Sequence, residues 1–156
     1  MARKREEADL IAEGFERVYI ESERYDGPRA GVADVEGKPH YFEGRDFDWA
    51  DEMDAYYVWP AGEAAVAWEL EQWAIYVRWD QRYRAGEAAV DSHPGHGGID
   101  PRYDELTTLL TPYRQAPDNA RKLLAELQYD SGDFYRIGGT GMWFRWHPVE
   151  DVNAEK

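Results

Sequence analysis

The chain contains no cysteine, which removes disulfides, thiolate nucleophiles and sulfur-ligated zinc from the chemistry open to it. It also lacks any run of about 18 apolar residues, the length that a membrane-spanning helix needs. Its start, Met1 to Glu16, is charged and has none of the apolar core of a signal peptide. Positive charge is scarce, with 18 basic side chains against 32 acidic ones and a formal charge of −14. A nucleic-acid binder needs a basic stripe to release counterions from phosphates, so direct nucleic-acid binding is not expected. The same excess disfavours anionic membrane surfaces, and the expectation is a soluble cytoplasmic protein. Internal repeats and low-complexity segments are absent as well.

Aromatic residues, by contrast, are abundant. The 7 Trp, 11 Tyr and 5 Phe supply far more buriable surface than a disordered acidic chain carries. A length of 156 residues fits one domain with a proper core, residues 1–156, in which 1–14 form a helical or flexible N-terminal tail.

Val18 and Ile20 alternate with Tyr19 and Glu21, and this period-two pattern predicts a strand from Phe15 to Arg24. Asp26-Gly27-Pro28 is a turn signal, after which a strand is expected over Gly31 to Glu36, reversing at Gly37 into Pro39 to Glu43. Gly44 to Asp54 reads as a charged loop, and Ala55 to Trp59 as a further strand closed by Pro60. A long helix runs from about Glu63 to Ala85, with Gly86 just past its end. Asp91 to Gly98 is a Gly/His/Pro loop, and Asp100-Pro101 starts a second helix that Pro112 limits to about three turns. Asn119 to Tyr129 fits a helix through Ala120, Leu123, Leu124 and Leu127, and a strand through Leu123, Ala125, Leu127 and Tyr129. Met142, Phe144 and Trp146 mark a last strand. Strands first, helices in the middle and a strand last, without βαβ alternation, predict an α+β fold. The expected architecture is a bent, mostly antiparallel sheet, a small barrel or roll, packed on one long and one shorter helix.

On the long helix, Val66, Leu70, Trp73 and Val77 form one apolar stripe, and Trp68, Ile75, Trp79 and Tyr83 form another on nearly the opposite side. Glu71, Arg78 and Arg82 hold a narrow polar sector between them. Two apolar faces need two covers. Either the second helix is one of them, or the stripe of Trp68, Ile75, Trp79 and Tyr83 is a protein interface, most simply that of a two-fold homodimer. Glu69 and Asp80 lie beside Trp73 and Tyr76, which would raise their pKa values unless a nearby Arg pairs with them.

His93, His96, Asp91 and Asp100 have the donor atoms of a zinc site, but a Gly-rich loop gives them no rigid element to aim from, so neither a metal nor a cofactor is expected. Gly138-Gly139-Thr140-Gly141 has neither the serine of a nucleophile elbow nor the lysine of a phosphate loop. Tyr25, Asp26, Arg29 and His40 remain: two polar hairpin segments whose carboxylate, guanidinium and imidazole form a candidate binding site, or simply a turn held by an internal ion pair.

With Tyr25-Asp26-Gly27-Pro28-Arg29, then Gly31-Val32-Ala33, then Gly37-Lys38-Pro39-His40-Tyr41, the chain resembles a family of uncharacterised bacterial proteins. The likeness extends through Glu71, Trp73, Arg78 and Trp79 into His93-Pro94 and covers most of residues 17–130. It implies a strand over Arg121 to Tyr129 and no mechanism. The leading functional expectation is a non-enzymatic module that binds another protein or itself. The alternatives are a small hydrolase-like enzyme using Asp26, Arg29 and His40, and an acidic mimic of nucleic acid.

Overall fold

The computed structural model describes residues 5–24, 28–44, 49, 50 and 53–149. In chain order these are helix α1 (Glu7–Ala12), strands β1 (Glu16–Arg24), β2 (Pro28–Val35), β3 (Lys38–Glu43), the two-residue β4 (Trp49–Ala50) and β5 (Met53–Pro60). Then come the long helix α2 (Glu63–Arg84), two 3-10 turns at Val90–Ser92 and Pro94–His96, helix α3 (Pro101–Leu110), and strands β6 (Arg121–Tyr129) and β7 (Met142–Pro148). The sheet runs β3-β2-β1-β7-β6-β5 and closes on itself through β3 and β5, every pairing antiparallel. The fold is therefore the expected α+β class, a closed six-stranded barrel with one long and one shorter helix against it. Closure removes the free strand edges that an open sheet would expose.

Three apolar clusters organise the molecule. Val18, Ala33, Phe42, Tyr56, Val58, Leu123 and Phe144 are among those filling the barrel. Outside it, Ile20, Val32, Tyr41 and Trp59 meet Ala65, Trp73 and Val77 of α2 and Leu106 and Leu110 of α3. Leu10 of α1 joins Phe15 and Trp143 in a third cluster, so α1 is docked against the barrel through a fully buried leucine.

A bulge explains how β1 serves two of these clusters. Val18 pairs with Ala33 while Ile20 pairs with Val32, two residues of β1 against one of β2. The extra residue switches the faces, so Val18 points into the barrel and Ile20 out toward α2. The strands approach closely here: a Cβ on Gly31 would lie 1.9 Å from the Ile20 carbonyl oxygen. At the β2–β3 hairpin, Val35 pairs with Lys38 across Glu36-Gly37. Both turn residues have positive φ, 56° and 80°, as a two-residue turn matched to strand twist requires.

Several sequence expectations are refined. Arg121–Tyr129 is a strand, paired along its length with β7, so two strands close the chain. The loop after Gly44 contains β4, which pairs with Asp54 and Met53 at the start of β5. The two stripes of α2 are the flanks of one broad buried arc rather than opposed faces. Ala65, Glu69, Gln72, Trp73, Val77, Trp79 and Asp80 are all buried. Glu69, Gln72 and Asp80, polar residues that a hydropathy pattern assigns to solvent, sit at the centre of that arc because other side chains satisfy them there.

Candidate functional site, a cleft beside the barrel

β1 and β7 pair at only two positions, Glu16 with Phe144 and Arg17 with Trp143. Thr140 then donates its N–H to the Val18 carbonyl, and beyond that Ile20, Glu21 and Ser22 of β1 face a cleft of about 250 Å³. Its opposite wall is the buried arc of α2, contributing Glu69, Gln72, Trp73 and Tyr76 at the i, i+3, i+4, i+7 spacing that puts four side chains on one helix face. Tyr103 of α3, Arg114, His93 and Tyr135 complete the lining.

The floor is a buried charge network. Arg114 grips Glu69 with two hydrogen bonds, Nε to Oε2 at 2.8 Å and Nη2 to Oε1 at 2.7 Å, and also donates to Gln72 Oε1 at 2.6 Å. Gln72 Nε2 in turn donates to the Tyr103 carbonyl at 3.0 Å and to Thr107 Oγ1 at 2.8 Å. Glu69 is 1% exposed, so its charge depends on Arg114. Burial alone would lower the Arg114 pKa, but its hydrogen bonds to Glu69, the charge of that carboxylate and the neighbouring Tyr41 and Tyr103 together raise it. The Tyr41 hydroxyl is buried near the same carboxylate without a well-formed hydrogen bond. Burial, then the Glu69 charge, push its pKa far above the ordinary phenol value.

The upper walls are aromatic. Trp73 meets Tyr135 edge-on at 5.2 Å and Tyr76 at 5.5 Å, while Tyr76 meets Tyr135 at 5.9 Å and the His93 ring at 5.4 Å. The Trp73 indole N–H donates to the Arg136 carbonyl at 2.9 Å, and the Tyr135 hydroxyl donates to Glu21. Tyr135 has φ of 56°, left-handed backbone that a bulky side chain adopts only when its surroundings enforce it, and such residues cluster at binding sites. His93 Nδ1 accepts the Gly95 N–H at 2.8 Å, which leaves the proton of the neutral ring on Nε2. Burial, and then neighbouring His96, hold its pKa below the usual imidazole value.

Of the residues singled out from sequence, Glu69, Trp73, Tyr76 and His93 line the cleft, whereas Arg29 and His40 do not. Tyr25 and Asp26 fall outside the described residues. Arg29 is buried at the start of β2. His40, paired with Ala33, is four residues along the hairpin from Arg29, roughly 13 Å at strand spacing. There its Nδ1 donates to the Lys38 carbonyl at 2.8 Å. The hairpin therefore separates Arg29 from His40 rather than gathering them. On α2, Trp79 is buried under the 3-10 turns, its indole N–H donating to Ser92 Oγ at 2.9 Å and its ring against His93 at 4.5 Å. Tyr83 stacks on Trp79 at 5.1 Å and Trp68 meets Tyr113 at 6.1 Å. Of that stripe, then, Trp79 is buried, Trp68 and Ile75 are half-buried and Tyr83 is exposed. Asp80 is held by Arg84 at 2.9 Å, so both carboxylates flagged on the helix are ion-paired.

Among the described residues, no group of three His, Asp or Glu side chains is placed to hold a metal ion. No helix among them is long and apolar enough to cross a membrane. The chain matches no protein-family model, no curated protein and no solved structure, so the site is read from its own geometry. Sequence reasoning missed Glu21, Gln72, Tyr103, Arg114 and Tyr135. The 69-72-73-76 spacing was available as a signal for one mixed polar and aromatic helix face. Arg114 and Tyr135 reach that face only through the fold.

Proposed function

We propose that the protein is a non-enzymatic, cytoplasmic binding module whose cleft takes an organic cation, an ammonium or substituted ammonium group. The observation that carries this reading is the lining itself: Trp73, Tyr76, Tyr103 and Tyr135 surround a space whose charged members are two carboxylates, Glu21 and Glu69, against one guanidinium, Arg114. Aromatic faces attract cations through their ring quadrupole, most strongly where water is excluded. His93 adds no positive charge at neutral pH, since its pKa is lowered. The field of a chain carrying −14 favours the approach of a cation further.

The same chemistry is offered by a free small molecule and by a lysine side chain of a partner protein. Isothermal titration of the full chain with choline, with its uncharged isostere 3,3-dimethylbutanol, and with a trimethyllysine peptide tests the reading and separates the sources. Choline is expected to bind at least about tenfold more tightly than the isostere, and Tyr135→Ala to abolish the difference. Equal affinity for the two, or binding of no cation in the set, would overturn the proposal. A peptide that outcompetes choline would identify a protein as the source of the cation.

A further inference from the structure

On the other side of the 3-10 turns that carry His93, a second and larger groove of about 390 Å³ lies between α2 and the start of α3. Its walls are Ile75, Trp79, Pro94 and Ile99, and Arg78 and Arg82 stand at its rim. Ile99 is 48% exposed, although an isoleucine is ordinarily covered. Asp100, also at this groove, is engaged as the cap of α3, accepting the Tyr103 N–H at 3.0 Å.

The two arginines are the anomaly. In a chain with 32 acidic residues for 18 basic ones, every other arginine whose side chain is described holds a carboxylate or another partner, as Arg84 holds Asp80. Arg78 and Arg82 are exposed and make no ion pair or hydrogen bond among the described residues. They are one helical turn apart, where like charges repel. Two guanidiniums that repel each other while carboxylates abound, set beside an apolar trough, match one kind of occupant: an anion with an apolar body.

We infer that this groove is a ligand site for a small apolar carboxylate, an alkyl or aryl acid. The carboxylate bridges Arg78 and Arg82, whose planar donors suit it better than an ammonium would. The hydrocarbon body lies along Ile75, Trp79, Pro94 and Ile99. The inference is independent of the cation cleft, which uses other residues of α2.

Octanoate and octanol, titrated into the full chain while tryptophan fluorescence is followed, provide the test, since the Trp79 ring forms part of the wall. Octanoate is expected to bind at least tenfold more tightly than octanol, more weakly at high salt, and at least tenfold more weakly to Arg78→Gln and to Arg82→Gln. Both substitutions are at exposed positions, and circular dichroism of the variants is expected to match that of the unaltered chain. Equal binding of acid and alcohol, unchanged affinity in both variants, or no binding of octanoate would overturn the inference. So would a groove that takes acidic peptides while rejecting the free acid.

Discussion

The inside of the barrel and the layer between the barrel and its helices are both buried, yet they are built of different chemistry. In the barrel, Phe42 meets Tyr56 at 5.4 Å and Phe144 at 5.2 Å, both edge-on, and the Tyr56 hydroxyl donates to the Pro28 carbonyl at 2.6 Å. In the outer layer the comparable positions hold Glu69, Gln72 and Arg114, with the Tyr41 hydroxyl lacking a well-formed bond beside them. A buried ion pair seldom stabilises a fold more than apolar packing of the same volume would. The barrel shows that this chain closes a core with apolar residues. The outer layer thus carries a buried ion pair beside its own apolar cluster of Ile20, Val32, Trp73, Val77 and Leu106.

The largest expected effect strikes the outer layer. Arg114→Met leaves Glu69 buried without its partner and is expected to cost about 3 to 5 kcal/mol, measured by urea denaturation. The double change Glu69→Leu with Arg114→Met is expected to recover most of that loss. If the single variant loses under about 1 kcal/mol, the network is effectively solvated and the contrast between the regions collapses.

A matched pair of tyrosine substitutions sharpens the comparison. Tyr56→Phe strips a buried carbonyl of its donor and is expected to cost about 1 to 2 kcal/mol. Tyr41→Phe removes a hydroxyl that is poorly bonded and is expected to be close to neutral. Equal losses for the two would show that the outer hydroxyl is as well satisfied as the inner one.

The smallest effect is a slope. Because His93 is held below its ordinary pKa, the unfolded chain takes up that proton first as pH falls. Its stabilising contribution is complete above about pH 6.5 and is lost as pH drops through the lower folded value. Protonation would also end the bond from the Gly95 N–H to Nδ1. Denaturation midpoints of His93→Gln should therefore fall less steeply from pH 7 to pH 5 than those of the unaltered chain. Identical slopes would mean that the ring titrates as though in water.

Legibility in the sequence followed periodicity. Val18 and Ile20 placed β1, Gly86 marked the end of α2, and Asp100-Pro101 opened α3, because each signal acts through neighbours in the chain. Arg121 to Tyr129 fitted both periods, and only its register with β7, from Leu123 opposite Pro148 to Tyr129 opposite Met142, makes it a strand. The candidate site was legible only in fragments. Glu69, Trp73 and Tyr76 stand out on the helix, while the polar pair Arg29 and His40 is held apart by the hairpin.

By itself the sequence determined the α+β class, the long helix and most strands, since turn residues and side-chain periods are local properties of a chain. Tertiary structure alone decided closure of the barrel, because pairing β3 with β5 depends on twist accumulated across six strands. It also decided which polar residues go inside. Glu69 resembles Glu71, two positions away, in every local respect, but Glu69 is buried under Arg114, 45 residues further along the chain, whereas Glu71 meets Arg102 in solvent. Burial of a charge is settled by the partner that arrives to satisfy it, and that partner is chosen by the fold.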